Sequence, residues 1–182
     1  MNIYEQLTNP KAWENFLDYK RDNRHLSKAE EKDLTEYIEG KEYLESVSKL
    51  MRSDSLIIPE KKLIRKMDTD KKRVVYIYSR EINNVLKLMT FLLLSKYDDI
   101  FSDTLYSFRA GSGVNRALYR ILGTTELESM YSYKVDISNY FNSIPVEKML
   151  IKLREVLRDE PEICGILERL LSDDRIVDGG NI

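Results

Sequence analysis

A chain of 182 residues, 42% of them hydrophobic, has the size of one ordinary domain and enough apolar material to bury a core. Its formal net charge of −2 excludes a nucleic-acid signature carried by average composition, so any such site must come from local clustering. The single cysteine, Cys164, excludes an internal disulfide, and the single histidine, His25, leaves no basis for a histidine-built metal site or a histidine-dependent nucleophile.

Met1-Asn-Ile-Tyr-Glu-Gln has no basic stretch followed by an apolar run. The most apolar stretch, residues 85–94, is interrupted by Lys87 and is too short to span a bilayer, so a cytoplasmic protein with no membrane partner is expected. Asn9-Pro10 reads as a helix start, with Trp13, Phe16 and Leu17 on one apolar face. Ser27-Lys-Ala-Glu30 is a capping box, followed by Leu34, Tyr37, Ile38, Leu44, Val47 and Met51 at helical spacing, with Gly40 weakening the continuity of that stretch. The spacing predicts two helices in the first fifty residues.

Residues 56–59 lead into Lys61, Lys62, Arg65 and Lys66, then Asp68 and Asp70, then Lys71, Lys72 and Arg73 before the apolar run 74–78. The pattern predicts a strand, a polar turn and a second strand, a basic β-hairpin. A helix follows Ser79, with Ile82, Val85, Leu86, Met89 and Leu93 on one side; residues 101–109 are irregular and aromatic. Gly111-Ser-Gly113 opens a helix carrying Val114, Ala117, Leu118 and Ile121, closed by Gly123. Residues 131–137 alternate, Tyr133, Val135 and Ile137 against Lys134 and Asp136, which predicts a half-buried strand with Asp136 near its end. Further amphipathic helices begin at Ser143-Pro145 and at Pro161, Cys164 reads as a small buried hydrophobe within the second, and residues 178–181 read as a turn. The predicted class is α+β.

Two constellations can carry chemistry. From Lys61 to Arg80 there are eight Lys or Arg residues and only Asp68 and Asp70 as acids, which is either a solvated charged turn or a phosphate grip on a rigid ribbon. Asp136 at a strand end, followed by Tyr140 and Phe141, is either a turn carboxylate beside packed aromatics or a ligand for the divalent metals that phosphoryl transfer requires.

Taken in order, three segments resemble the reverse transcriptase family, in particular its bacterial branch of group II intron, retron and phage-defence enzymes. Lys66-Met-Asp-Thr-Asp-Lys-Lys-Arg73 with the strand after it resembles the fingers hairpin, Tyr106-Ser-Phe-Arg109-Ala-Gly111 the second motif, and Lys134-Val-Asp136-Ile-Ser-Asn-Tyr-Phe141-Asn-Ser-Ile144 the first palm motif. The resemblance covers residues 57–182. It implies an N-terminal helical element over 1–55, fingers over 56–128 and the first part of a palm over 129–182. Lys66, Arg73, Arg109, Ser138, Asn139, Tyr140 and Phe141 would bind nucleotide, with Phe141 under the sugar, where its ring excludes a ribose 2′-hydroxyl. Asp136 would be catalytic and, with the Ile137 carbonyl, would ligate Mg2+. The implied partners are an RNA template, a DNA or RNA primer and deoxynucleoside triphosphates.

The family's Tyr-x-Asp-Asp loop has no counterpart. Tyr97-Asp98-Asp99 precedes the palm motif, Asp173-Asp174 lacks a preceding tyrosine, and the 182 residues alone are expected to be inactive. Asn142 and Ala110 stand where relatives often carry Asp and Pro, and Tyr76-Ile-Tyr78 replaces the family's Gly-Ile-Pro, a replacement that points to a divergent branch such as an antiviral-defence one. A non-enzymatic nucleic-acid-binding module and a protein-interaction remnant of a polymerase are the alternatives.

Overall fold

The computed structural model describes residues 1–23, 26–52, 57–65, 72–109, 111–137 and 140–172, without the side chains of Arg73, Phe141 and Asn142. It is a helix-rich α+β chain with one two-stranded antiparallel sheet among the described residues. The helices are α1 (Ile3–Leu7), α2 (Pro10–Asp22), α3 (Lys28–Glu39), α4 (Glu42–Met51), α5 (Arg80–Lys96), α6 (Val114–Leu122), α7 (Val146–Val156) and α8 (Pro161–Leu171); the strands are β1 (Glu60–Arg65) and β2 (Lys72–Ile77). None of these helices is long and apolar enough to cross a membrane. The chain divides into two compact units, Met1–Met89 with Ile144–Ile182, and Thr90–Ser143. These units cut the sequence elsewhere than the boundaries at 55 and 128 do.

The first unit begins with four helices where two were expected. Asn2 opens α1 with a capping box: its Oδ1 accepts from the Glu5 N–H at 2.7 Å, and Glu5 Oε2 accepts from the Asn2 N–H at 2.9 Å. Asn9 and Pro10 start α2, and Ser27 with Glu30 starts α3, as their chemistry predicts. The periodic stretch beyond Ser27 is then broken at Gly40, where α3 ends, and at Lys41, whose φ of 55° lies in the left-handed region. Apolar spacing continues across the break because α3 and α4 pack on a shared core, so periodicity alone hid the turn.

That core centres on Trp13, fully buried, whose indole N–H donates to the Leu7 carbonyl at 2.9 Å. Its ring meets Phe16, Tyr37 and Tyr43 at centroid distances of 6.5, 5.5 and 5.2 Å, tying α2, α3 and α4 together. Burial pushes the Tyr37 hydroxyl pKa up to about 12, and that hydroxyl donates to the Glu81 carbonyl at 3.3 Å. The N-terminal part of α5 contributes buried Ile82, Val85, Leu88 and Met89.

The last two helices return to the first ones. Glu160, the N-cap of α8, is fully buried, and both its carboxylate oxygens accept from the Ile3 N–H at 2.9 Å. Ile3 opens α1, so a carboxylate stands where the helix dipole favours negative charge. Arg169 donates to the Leu50 carbonyl at 2.8 Å, satisfying the C-terminal end of α4. Cys164 is buried as expected, and burial pushes its thiol pKa up.

The second unit is built differently. Among its described residues only Leu92 is buried. It contains a 3-10 turn at Asp98–Ile100, the irregular segment to Arg109, α6, a second 3-10 turn at Leu127–Ser129 and a third at Tyr140–Ser143. The half-buried strand expected over residues 131–137 is not present: the segment is irregular, and Tyr133 and Val135 are 90% and 86% exposed. Alternation shows that one face is fit to be covered, but a strand also needs a neighbour for its N–H and C=O groups, and no described residue pairs with this segment.

Candidate nucleic-acid and nucleotide site

The hairpin forms where the sequence places it. Its register sets Glu60 opposite Ile77, Lys62 opposite Val75 and Ile64 opposite Arg73, alternating with Lys61 opposite Tyr76, Leu63 opposite Val74 and Arg65 opposite Lys72. Directly paired residues share a face, so one face carries Lys61, Arg65 and Lys72 around Leu63, Val74 and Tyr76. The Lys61 ammonium lies 5.9 Å from the centroid of the Tyr76 ring. On the other face Lys62 is paired with Glu60 at 3.1 Å. The Arg65–Lys72 pair sets two cations directly opposite each other, an arrangement that self-repels and that a bound phosphate would relieve. Arg73 lies in β2; its side chain, together with Lys66, Asp68, Asp70 and Lys71, falls outside the described residues.

Arg80, counted in the basic cluster from sequence, does not belong to it. Its guanidinium pairs with Asp33 and with Glu42, the latter at 3.2 Å, and lies 5.8 Å from the Tyr37 ring centroid. It fastens α5 to α3 and α4 and is committed to structure.

Arg109 is also engaged. Its Nε and Nη2 donate to the two carboxylate oxygens of Asp98 at 2.8 and 2.7 Å, and its Nη1 donates to the Ser102 carbonyl at 2.8 Å. This is a fork-to-fork pair, the strong geometry for guanidinium and carboxylate. The guanidinium also lies 5.9 Å from the Phe101 ring centroid, and the side chain is only 10% exposed. The Arg109 hydrogen bond holds the Asp98 carboxyl below its usual pKa, and the same bond raises that of Arg109. A residue expected to bind nucleotide is thus occupied in closing the irregular segment between Asp98 and Arg109. Asp98, in the Tyr97-Asp98-Asp99 segment that precedes the palm-like motif, is a structural partner of Arg109, and its only signal in the sequence is an arginine eleven residues on.

Phe108, the residue before it, has a φ of 61° and is 90% exposed. Beyond it, a cleft of about 480 Å3 opens at the start of α6, lined by Gly111, Ser112, Gly113, Val114, Asn115, Arg116 and Tyr119. Gly111 and Gly113 have φ of 68° and 149°, conformations that favour glycine and let the chain turn into α6.

Asp136 and Ile137 are exposed, within the segment that no described residue pairs with as a strand. Tyr140 opens the 3-10 turn in which Ser143 Oγ donates to the Tyr140 carbonyl at 2.9 Å; the backbone of Phe141 lies in that turn, while its side chain, Ser138 and Asn139 fall outside the described residues. Among the described residues, no three His, Cys, Asp or Glu come together as a metal-binding group. A carboxylate and a backbone carbonyl are oxygen donors of the kind magnesium takes, but the two by themselves are not a formed metal site. No family model, no curated protein and no solved structure matches the chain.

Proposed function

We propose that this chain supplies the fingers and the first palm element of an RNA-directed DNA polymerase. The observation that carries the reading is the β-hairpin: a two-stranded ribbon of Glu60–Arg65 and Lys72–Ile77 that sets Arg65 directly opposite Lys72, in a chain whose average charge gives no reason for such a cluster. Cations on a ribbon neutralise a nucleic-acid backbone or a triphosphate, and the resemblance of residues 106–111 and 134–144 to the family's next two motifs follows in order. Asp136 and the Ile137 carbonyl would hold one magnesium ion, which when bound stabilises the charge that develops on the transferring phosphate. The chain's own contribution is positioning: the hairpin draws in the anionic partner, and the aromatic position at Phe141 selects against a 2′-hydroxyl.

The absence of a three-ligand acidic group among the described residues favours a second reading, a nucleic-acid-binding module in which Asp136 has no catalytic role. Fluorescence anisotropy with a labelled primer annealed to an RNA template separates the two. The polymerase reading expects salt-sensitive binding that Mg2+ with a deoxynucleoside triphosphate strengthens, an increment that Asp136→Asn removes, and no primer extension by these 182 residues alone. Binding indifferent to both additions would establish the module instead, and unaided extension would show the assignment of the active site to be wrong.

A further inference from the structure

Resting on the polymerase reading, we propose that α3 and α4, which lie outside the three family-like segments, are the seat of the basic hairpin, and that Arg80 is its positioning residue. Arg80 follows the last residue of β2, Ile77, by three positions and is the first residue of α5. Its guanidinium donates to Asp33 of α3 through Nη1 and to Glu42 of α4 through Nη2, the latter at 3.2 Å, and lies 5.8 Å from the Tyr37 ring centroid. One residue on, the Glu81 carbonyl accepts from the Tyr37 hydroxyl at 3.3 Å. Two consecutive residues at the exit of the ribbon are thus tied to the helices, one by its side chain and one by its backbone. At the entrance, Pro59 is buried immediately before β1 opens at Glu60.

Packing does less to hold the ribbon itself. Leu63 and Val74 on one face are 64% and 36% exposed, and Ile77 on the other is 42% exposed. A two-stranded ribbon is marginally stable by itself, and with both faces partly open its direction depends on how its feet are fixed. The ion pairs of Arg80 are half-exposed, and such pairs add little to global stability. A guanidinium shared between two carboxylates and set over a ring fixes an angle instead, which the single ammonium of a lysine would not. That angle matters for binding. A ribbon already presenting Lys61, Arg65 and Lys72 in one direction loses less freedom when it meets an anionic partner.

The test reads the ribbon first in the free protein. Cys164 is the only native cysteine and is buried, so Cys164→Ala clears the background for spin labels at Leu63→Cys on the ribbon and Lys28→Cys on α3, both exposed. Pulsed electron resonance should find one narrow distance distribution, which Arg80→Gln broadens while the helical circular dichroism is unchanged. Equal widths would overturn the proposal whether or not the chain binds nucleic acid.

Binding of the unlabelled proteins to a primer annealed to an RNA template comes second. Arg80→Gln should weaken it by about three- to tenfold, as follows if the competent direction is then populated about a tenth to a third of the time. The slope of log K against log salt should stay at its native value; a fall of about one would mean that Arg80 touches a phosphate and would overturn its positioning role. Asp33→Asn combined with Glu42→Gln reverses the ordinary sign. Removing two negative charges tightens the binding of an anion if charge alone matters, whereas losing the seat weakens it, so tighter or unchanged binding overturns the proposal. Glu160→Ala, which loosens the same unit at α1, should stay within about twofold of the native affinity. A loss equal to that of Arg80→Gln would mean general destabilisation, and the inference alone would fall. If the native chain binds no nucleic acid, the polymerase reading falls, and the width of the label distribution decides the seat by itself.

Discussion

The unit formed by Met1–Met89 with Ile144–Ile182 and the unit formed by Thr90–Ser143 hold their chains by different physics. The first buries Trp13, Tyr37, Tyr43 and Phe16 together and closes its helix ends with Asn2, Asn9, Ser27 and Glu160. The second buries only Leu92 among its described residues and relies on the forked pair of Arg109 with Asp98. Dispersion and apolar burial sum over many contacts, while one ion pair whose carboxylate is 45% exposed adds little to global stability and mainly fixes a local geometry. The candidate chemistry is divided: the basic hairpin lies in the first unit with the buried core, and Asp136 and Tyr140 lie in the second.

Removing the centre of the first core should show the contrast most strongly. Trp13→Ala is expected to cost about 3–5 kcal/mol, read as a fall in the urea midpoint, because it deletes a fully buried ring and leaves a cavity. A loss under about 1 kcal/mol would mean that the aromatic cluster is not the core it is taken to be. Next comes Glu160→Ala, expected to cost about 1–3 kcal/mol by leaving the Ile3 N–H without its buried acceptor. Hydrogen exchange should then show α1 opening before α2.

Alkali supplies a third test within the same unit. Burial raises the Tyr37 hydroxyl pKa to about 12, so the folded state favours the neutral phenol. The stability this contributes is present below the ordinary tyrosine value of about 10 and is lost as pH rises toward 12. An ultraviolet titration should find one tyrosine ionising later than the exposed ones, and Tyr37→Phe should abolish that step.

The smallest global effect belongs to the second unit. Arg109 lowers the Asp98 pKa, so the contribution of the pair is complete above the ordinary aspartate value of about 4 and fades as pH falls through the lowered one. Asp98→Asn should speed amide exchange over residues 98–109 at neutral pH while leaving the global midpoint nearly unchanged. A large fall in that midpoint would erase the distinction between the two units.

Helix starts were legible because they are local chemistry. Asn9-Pro10, Ser27 with Glu30, and Pro161 each satisfy orphan N–H groups or preset φ within a few residues, and each begins a helix in the structure. The basic hairpin was legible for the same reason, two β-prone runs around a polar turn. Asn2-x-x-Glu5 carried the same signal for α1 and could have been read. Gly40 marked a weak point between α3 and α4, but the left-handed turn at Lys41 and the commitment of Arg80 to Asp33 and Glu42 could not be read, since both depend on what α3 and α4 pack against.

Sequence by itself determined the α+β class, the hairpin, most helix starts and the burial of Cys164, because capping, turn chemistry and periodicity act over fewer than about ten residues. Tertiary structure alone decided which arginines stay open to a ligand, that Glu160 holds the start of α1 from across 157 residues, and that residues 131–137 do not pair as a strand among the described residues. Those outcomes rest on partners distant in sequence, and a partner's identity is fixed only when the fold brings its atoms within hydrogen-bonding or van der Waals reach.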